Sequence, residues 1–210
     1  MKVNEIFYSI QGEGKWAGKP NIFIRTTGCN LRCKFCDTTY SYEQGNETEI
    51  IKIIEGIKKY KCNKVCITGG EPLLQKDLNN LIEKLLKSSY KLIIETNGSI
   101  DISNIKEIKN LVVSMDIKCP SSKMHDKMIF ENIKHLTKKD QIKFIIKDRK
   151  DYEYSKNIIK KYNLDSYIFF QPLWGTKIDK LAEWILEDGL DVNLGLQIHK
   201  IIWGDKERSR

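Results

Sequence analysis

The sequence predicts a mixed α/β fold, a partial (β/α) barrel of the TIM-like type in which most strands are parallel. Short apolar runs alternate with amphipathic segments along most of the 210 residues, and this alternation is typical of parallel sheets with right-handed crossovers. Polar or glycine-rich residues follow most of the apolar runs, as expected where loops at one rim of a barrel form a site. Since the sequence has no low-complexity linker and no evident internal repeat, we predict a single domain over residues 1–210.

Seven apolar runs are predicted to be strands, and five segments between them are predicted to be helices. The clearest helical stripe consists of Leu78, Leu81, Ile82, Leu85 and Leu86, which recur at spacings of three and four. The connection after the third of these strands is short and is expected to carry only a partial helix. The predicted strands are 22–25, 64–68, 92–95, 111–115, 142–146, 167–171 and 192–197, and the predicted helices lie near 48–60, 77–88, 127–136, 152–162 and 177–188.

The composition indicates a globular cytoplasmic protein. The net charge is +8, but the lysines are mixed with acidic residues along the predicted helices, a pattern typical of solvated faces, so we expect no nucleic-acid partner. No apolar run approaches the roughly 18–20 residues of a membrane helix, and the N-terminus lacks the apolar stretch of a signal peptide. A basic surface would suit an acidic electron-transfer protein such as a flavodoxin or ferredoxin.

Three of the six cysteines lie in one short stretch. Cys29, Cys33 and Cys36 form a C-x3-C-x2-C motif with Phe35 before the last cysteine. Thiolates at this spacing can converge on one metal centre, and three are one fewer than a [4Fe–4S] cluster needs, so one iron is open to another ligand. Zinc is the alternative, but structural zinc needs four nitrogen or sulfur ligands, and no fourth lies close by in sequence. Cys66 lies in an apolar run and is expected to pack in the core.

Other polar segments follow the remaining predicted strands. Because the carboxyl ends of parallel strands share one rim of the sheet, we expect these segments and the cysteine loop to meet at a single mouth. The segments are residues 68–72, 95–98, 114–118, 171–172 and 199–200.

The cysteine motif and residues 68–72, Thr-Gly-Gly-Glu-Pro, resemble the two signature elements of the radical S-adenosylmethionine superfamily. The resemblance implies a barrel of the radical SAM type whose open iron is chelated by the amino and carboxylate groups of S-adenosylmethionine. One electron from the reduced cluster then cleaves the carbon–sulfur bond and releases a 5′-deoxyadenosyl radical, while the protein positions the reactants and excludes water. The glycines let the backbone approach the methionine amine, since they have no side chain to block it.

Further motifs resemble the 7-carboxy-7-deazaguanine synthase family of queuosine and archaeosine biosynthesis. These motifs span residues 5–14, 23–29, 36–38, 95–98, 171–172 and 197–200, so the resemblance covers nearly the whole chain. It implies a lyase that contracts the ring of 6-carboxy-5,6,7,8-tetrahydropterin to 7-carboxy-7-deazaguanine with loss of ammonia. It also implies S-adenosylmethionine as a reusable cofactor, a requirement for Mg2+, and a homodimer.

The same resemblance implies a role for individual residues. Thr38 would bind Mg2+, since a hydroxyl is an oxygen ligand of the kind that this hard cation prefers, and Arg25 would bind two oxygens of the substrate carboxylate. The cluster would be bound by Cys29, Cys33 and Cys36, the substrate by Ile10, Gln11, Gly12, Glu13, Arg25 and Thr68, and S-adenosylmethionine by Gly70, Ser114, Asp116, Lys118 and Gln171. Whether Asp116 or Lys118 contacts S-adenosylmethionine stays open.

Two other functions are compatible with the cysteine motif. One is an activase that installs a glycyl radical on a partner protein, which has less need for Arg25, Gln11 and Thr38 as a small-molecule pocket. The other is an iron–sulfur or zinc module that contacts RNA, which would show a steep salt dependence of binding.

Overall fold

The computed structural model of the chain describes residues 1–105, 108–162, 164 and 166–205. Within them the strands form one nine-stranded sheet in the order β3-β1-β2-β4-β5-β6-β7-β8-β9. The strands are β1 (Lys2–Ile10), β2 (Pro20–Thr26), β3 (Asn46–Glu47), β4 (Lys64–Gly69), β5 (Lys91–Thr96), β6 (Leu111–Ile117), β7 (Gln141–Ile146), β8 (Tyr167–Pro172) and β9 (Asn193–Leu194). The helices are α1 (Ile50–Lys58), α2 (Leu78–Lys87), α3 (Arg149–Tyr162), α4 (Ile178–Glu187) and α5 (Ile198–Trp203).

The strand directions confirm the predicted partial barrel. β1 pairs antiparallel with β2 and with β3. Every neighbouring pair from β2 through β4 to β9 is parallel. The carboxyl ends of these parallel strands therefore lie at one rim, and the loops that follow them meet there.

Apolar helix stripes cover the outer face of the sheet. α1 buries Ile53, Ile54 and Ile57, while α2 buries four of the five leucine and isoleucine residues predicted from its spacing. The fifth, Leu86, is partly buried against the same core. This outer core holds the strands in place and leaves the inner face of the sheet to line the barrel interior.

A smaller apolar cluster lies inside the barrel. Phe7, Phe23, Cys66 and Ile93 form it, and the rings of Phe7 and Phe23 stack with centroids 4.8 Å apart. Cys66 is fully buried, which confirms the expectation that it packs in a core. Its four members come from β1, β2, β4 and β5.

The helix predicted near residues 127–136 is wrong. The chain forms two short 3₁₀ turns there, His125–Lys127 and Phe130–His135. The buried side chain of Asn132 ties this segment to the loop after β5, because its Nδ2 donates to the carbonyl oxygen of Ile100 at 2.7 Å. Because this bond spans 32 positions, a long-range contact rather than the local apolar pattern sets the conformation of the segment.

Of the strand predicted over residues 192–197, the structure contains only the two residues of β9, so most of that prediction is wrong. The N–H of Gly195 still donates to the carbonyl oxygen of Phe170, but the N–H of Ile198 donates to the carbonyl oxygen of Gly12 at 3.0 Å. The chain leaves the sheet to reach the loop after β1. The short helix α5 that follows, and the strands β1 and β3, were not predicted.

Candidate active site

A cavity of about 190 Å³ opens at the carboxyl ends of the parallel strands. The cysteine loop after β2 forms one wall, and the ends of β4, β5 and β6 form the floor and the opposite wall. Four of the five segments predicted to meet at one mouth contribute residues to the cavity wall, namely 68–72, 95–98, 114–118 and 199–200; residues 171–172 do not, although the next residue, Leu173, does. Among the predicted site residues, those that line the cavity are Glu13, Cys29, Cys33, Cys36, Thr38, Thr68, Gly70, Asp116 and Lys118.

The cysteine loop packs tightly against the Gly69–Gly70 turn. The N–H of Glu71 donates to the carbonyl oxygen of Gly28 at 2.7 Å. A methyl group on Gly70 would lie 2.2 Å from that same carbonyl oxygen, closer than any side chain can approach. Glycine at position 70 is therefore required for the two loops to share the wall of the cavity.

The three cysteines of the motif fit an iron–sulfur cluster with one open iron. Their thiols are free and partly exposed, all three line the same cavity, and burial raises the pKa of Cys29 and of Cys33. Within the described residues, no three Cys, His, Asp or Glu side chains are grouped to hold a single metal ion. A thiol set of this kind suits a larger iron–sulfur group, and the space beside it can admit a further ligand.

Three carboxylates that line the cavity, Glu13, Glu95 and Asp116, share the buried cation of Lys143. The Nζ of Lys143 lies 2.6 Å from Glu13 Oε2, 3.3 Å from Asp116 Oδ1 and 3.6 Å from Glu95 Oε2, and its side chain is 3% exposed. Burial alone would lower the pKa of Lys143, but these three carboxylates outweigh it and hold the pKa well above its usual value. The four side chains therefore form a charge-paired platform whose carboxylate oxygens face the cavity.

The predicted substrate residues surround this platform from the side of β1. Gln11 is 3% exposed; its Nε2 donates to Glu95 Oε1 at 3.2 Å and its Oε1 accepts from the N–H of Gly12 at 2.9 Å. Glu13 Oε1 accepts from Gln197 Nε2 at 2.9 Å. Ile10 is the last residue of β1 and, like Gln11 and Gly12, lies behind the cavity wall rather than in it.

Arg25 lies next to the inner apolar cluster rather than in the cavity wall. Its Nε donates to Glu5 Oε1 at 2.7 Å, and its guanidinium carbon lies 5.6 Å from the ring centroid of Phe7 and 5.7 Å from that of Tyr40. The bond to Glu5 uses Nε and not the two terminal nitrogens of the guanidinium. The rings and Glu5 thus fix the direction of the side chain.

Thr38 lines the cavity, two residues after the last cysteine. Its Oγ1 donates to Asp37 Oδ1 at 2.9 Å, and Asp37 Oδ2 accepts from Lys200 Nζ at 2.6 Å. Burial would raise the pKa of Asp37, but Lys200 outweighs this effect and lowers it, so the carboxylate stays ionised. A hydroxyl and a carboxylate placed together present hard oxygen ligands to the cavity.

The residues predicted to contact S-adenosylmethionine divide into two groups. Asp116 and Lys118 line the cavity and pair with each other at 2.8 Å. Ser114 lies one layer below, where its hydroxyl accepts from Gln141 Nε2 at 2.7 Å. Gln171 is 1% exposed, and neither of its amide atoms has a hydrogen-bond partner, as expected for a side chain that bonds a ligand.

Several residues at the site were missed in the sequence. Lys143 could have been noticed, because a lysine interrupts the apolar strand β7, and buried lysines are paired. Gln197, His199 and Lys200 lie in the motif at residues 197–200 that resembles the family, but the sequence assigned them no individual role, since their positions depend on how α5 returns to the loop after β1. A Cβ on Gly12 would lie 1.8 Å from His199 Nδ1, which shows how closely the two segments pack.

Comparison with known proteins identifies the family. The model of the Radical SAM superfamily matches residues 23–163. A 7-carboxy-7-deazaguanine synthase of Thermoplasma acidophilum is 40% identical over 98% of each chain, and that of Koribacter versatilis is 40% identical over 97% of each. The chain belongs to the 7-carboxy-7-deazaguanine synthase family. It is therefore a radical SAM enzyme, a lyase that uses a [4Fe–4S] cluster and S-adenosylmethionine.

Solved structures share the fold. The crystal structure of QueE from Escherichia coli superposes with a TM-score of 0.76 at 24% identity, over 93% of each chain. Streptococcus suis SuiB bound to its precursor peptide SuiA superposes with a TM-score of 0.60 at 15% identity, over 82% of this chain and 47% of SuiB. Within the described residues, no helix combines the length and the apolar character that crossing a membrane requires.

Proposed function

We propose that this chain converts 6-carboxy-5,6,7,8-tetrahydropterin into 7-carboxy-7-deazaguanine and ammonia, with Mg2+ as an additional cofactor. The product and ammonia together contain all the atoms of the substrate, so the net reaction consumes no electrons. That balance agrees with S-adenosylmethionine acting as a reusable cofactor. Identities near 40% over nearly full length to 7-carboxy-7-deazaguanine synthases support this activity.

One observation carries the proposal: a single cavity is lined by three cysteine thiols and by hard oxygen and charged groups suited to a polar substrate. The oxygen ligands come from Thr38, Glu13, Glu95 and Asp116, and Lys118 supplies a positive charge. A cluster-binding module without a substrate has no need of a charged platform next to its cysteines.

In this proposal Cys29, Cys33 and Cys36 bind the cluster, and Gly70, Gln171 and the pair at positions 116 and 118 bind S-adenosylmethionine. The bound cluster and S-adenosylmethionine supply a carbon radical for hydrogen abstraction. Gln171 can both donate to and accept from the cofactor, because its buried amide is otherwise without a partner. Ser114 is also proposed to contact S-adenosylmethionine, and its hydroxyl accepts a hydrogen bond from Gln141 Nε2.

The pterin lies against the loop after β1. Its ring edge offers donors and acceptors in alternation, which an amide at Gln11 and a carboxylate at Glu13 can match. Ile10 and Gly12 contribute to substrate binding by positioning this loop from behind the cavity wall, and Thr68 contacts the substrate from β4. Lys143 holds Glu13 in place through the 2.6 Å ion pair, so Glu13 reaches the substrate with a fixed orientation.

Arg25 binds the substrate carboxylate directly, and Thr38 binds the Mg2+ that the same carboxylate also ligates. Glu5 occupies the Nε of Arg25, so the terminal nitrogens are the atoms that face the carboxylate in a bidentate pair. Thr38 Oγ1 keeps lone pairs for Mg2+ while it donates to Asp37. The metal and Arg25 then both bind the carboxylate, Arg25 from the side of the inner apolar cluster and the metal from Thr38 in the cavity wall.

The electron donor, the assembly and the compartment also belong to this proposal. The net charge of +8 favours an acidic donor of the flavodoxin or ferredoxin class. We expect a homodimer, as the family resemblance implies, and a cytoplasmic location, as the composition indicates.

An anaerobic assay tests the proposal. The reconstituted protein is given dithionite, S-adenosylmethionine and Mg2+, with and without the carboxypterin. We expect 7-carboxy-7-deazaguanine and ammonia only when the carboxypterin is present. Cleavage of S-adenosylmethionine with the pterin left unchanged would contradict the substrate assignment and favour a glycyl-radical activase, and no cleavage by a protein with a full cluster would contradict the radical chemistry itself.

A further inference from the structure

The amide of Asn97 contacts the sulfur of a proposed cluster ligand. Asn97 lies in the loop after β5 and is 7% exposed. Its Nδ2 lies 3.8 Å from Cys29 Sγ and donates to Asn30 Oδ1 at 3.1 Å. The sulfur also accepts from the backbone N–H of Leu31 at 3.4 Å, so two donors converge on Cys29.

The neighbours of Asn97 fix which end of the amide faces the sulfur. The backbone N–H of Ser99 and its hydroxyl both lie against Asn97 Oδ1, at 3.0 and 2.6 Å. A backbone N–H only donates, so the atom that faces it must be the oxygen. The NH2 group therefore points at Cys29, and the opposite orientation would place two donors against each other.

A closed ring of hydrogen bonds locks this orientation. Asn97 Nδ2 donates to Asn30 Oδ1, Asn30 Nδ2 donates to Ser99 Oγ at 2.8 Å, and Ser99 Oγ donates to Asn97 Oδ1. Each bond in such a ring polarises the next. The ring therefore strengthens the second N–H of Asn97 as a donor to sulfur.

Glu71 fixes the backbone of the same loop. It is fully buried, and its carboxylate accepts from the N–H of Asn97 at 2.7 Å and from Thr96 Oγ1 at 2.9 Å. Glu71 also donates its own N–H to Gly28 at the start of the cysteine loop. The loop that carries Asn97 and the loop that carries Cys29 are thus held together by one residue.

We propose that Asn97 is a positioning residue that sets the reduction potential of the cluster through its hydrogen bond to Cys29. This inference rests on the proposed assignment of Cys29 as a cluster ligand. Hydrogen bonds to cluster sulfurs are among the factors that set these potentials, and groups that bond to metal ligands tune the metal. A donor withdraws electron density from the thiolate and stabilises the reduced, more negative cluster, so Asn97 raises the potential.

Two variants test this inference against a structural control. Asn97→Asp keeps the shape and the oxygen that Ser99 requires but replaces the donor with an acceptor, while Asn97→Ala removes both. Asn132→Ala is the control, because Asn132 fixes the same loop through the carbonyl oxygens of Gly98 and Ile100 without a bond to sulfur. Each reconstituted holoenzyme is titrated electrochemically, and the reduced cluster is measured by electron paramagnetic resonance.

Both Asn97 variants are expected to bind the wild-type amount of iron and sulfide and to shift the potential to more negative values, with the larger shift for Asn97→Asp. Asn132→Ala is expected to lower the thermal unfolding midpoint while its potential stays at the wild-type value. Equal potentials in wild type and both Asn97 variants, each with a full cluster, overturn the role of Asn97 and leave the cysteine assignment intact. A cluster that survives Cys29→Ser with an unchanged potential overturns the assignment of Cys29 and the inference with it.

Discussion

At the scale of single residues, the Mg2+ part of the proposal depends on Thr38. We expect Thr38→Ala to lose most of the Mg2+ stimulation of turnover, because a methyl group offers the cation no oxygen. The absorbance of the cluster should stay at the wild-type level, since Thr38 lies outside the cysteine motif. Steady-state rates over a range of Mg2+ concentrations measure the effect.

Thr39→Ala is the matched control for this substitution. Thr39 is the next residue along the chain and is exposed, and it does not line the cavity, so its Mg2+ response should equal that of the wild type. An unchanged Mg2+ dependence in Thr38→Ala would remove Thr38 from the metal site.

Lys143 is predicted to stabilise the fold through its buried ion pairs. Lys143→Met leaves the carboxylates of Glu13, Glu95 and Asp116 buried without their common cation, and breaking a buried ion pair costs about 3–5 kcal/mol. We expect a loss of that order in the free energy of unfolding, measured by urea titration. Adding Asp116→Asn to Lys143→Met should recover part of the loss, because it removes one of the uncompensated charges.

Lys147→Met serves as the control for Lys143→Met. Lys147 follows the same strand and is exposed, and surface substitutions of this kind usually change stability by less than about 0.5 kcal/mol. Equal effects of the two substitutions would show that the buried charge platform contributes nothing to stability.

At the scale of elements, the site depends on how α5 meets the loop after β1. The N–H of Ile198 donates to the carbonyl oxygen of Gly12, and Lys200 at the same end of α5 pairs with Asp37 at 2.6 Å. The start of α5 thus connects the proposed pterin loop to the end of the cysteine loop. Its position should control substrate affinity more than cluster binding.

Gly12→Ala tests this connection. The added Cβ would lie 1.8 Å from His199 Nδ1, so the imidazole and the start of α5 must move. We expect the KM for the carboxypterin to rise at least roughly tenfold, equivalent to about 1.4 kcal/mol of binding free energy. The iron content should be unchanged, because Gly12 does not contact the cysteine loop.

Gly56→Ala is the glycine control, with an expected result of its own. Gly56 lies inside α1 and no atom lies within 4 Å of an added Cβ, so alanine should raise the stability by about 0.5–1 kcal/mol. The KM should stay at the wild-type value. A comparable rise in KM for Gly56→Ala would mean that the KM responds to alanine far from the site, and the effect of Gly12→Ala could not be assigned to its contact with His199.

The elements also show where sequence reasoning stops. The stripe of α2 and the apolar strands from β2 to β8 were predictable, because one buried face leaves a periodic pattern along the chain. The conformation of residues 127–136 was not predictable from the sequence. It is fixed by hydrogen bonds from Asn132 to a loop about thirty residues away. Residues 195–200 leave the sheet for a contact with Gly12, and no local pattern encodes such a contact.

At the scale of the whole molecule, parallel pairing from β2 to β9 explains why a site exists. It brings the cysteine loop, the Gly69–Gly70 turn and the ends of β5 and β6 to one rim. The rim was predictable from the order of the motifs, and so were the cysteines and Gly70 in its wall. The platform around Lys143 and the ring around Asn97 were not, because their bonds join distant parts of the chain: Glu13 lies 130 positions from Lys143, and Asn30 lies 67 positions from Asn97.

A crystal structure of the anaerobically reconstituted enzyme with S-adenosylmethionine, the carboxypterin and Mg2+ tests the central claim most directly. We predict that the iron anomalous signal lies within bonding distance of Cys29, Cys33 and Cys36, with S-adenosylmethionine between Gly70 and Gln171. We predict that the pterin lies against residues 11–13, with Mg2+ between its carboxylate and Thr38. An iron signal away from these cysteines, or a pterin bound outside the cavity, would contradict the account.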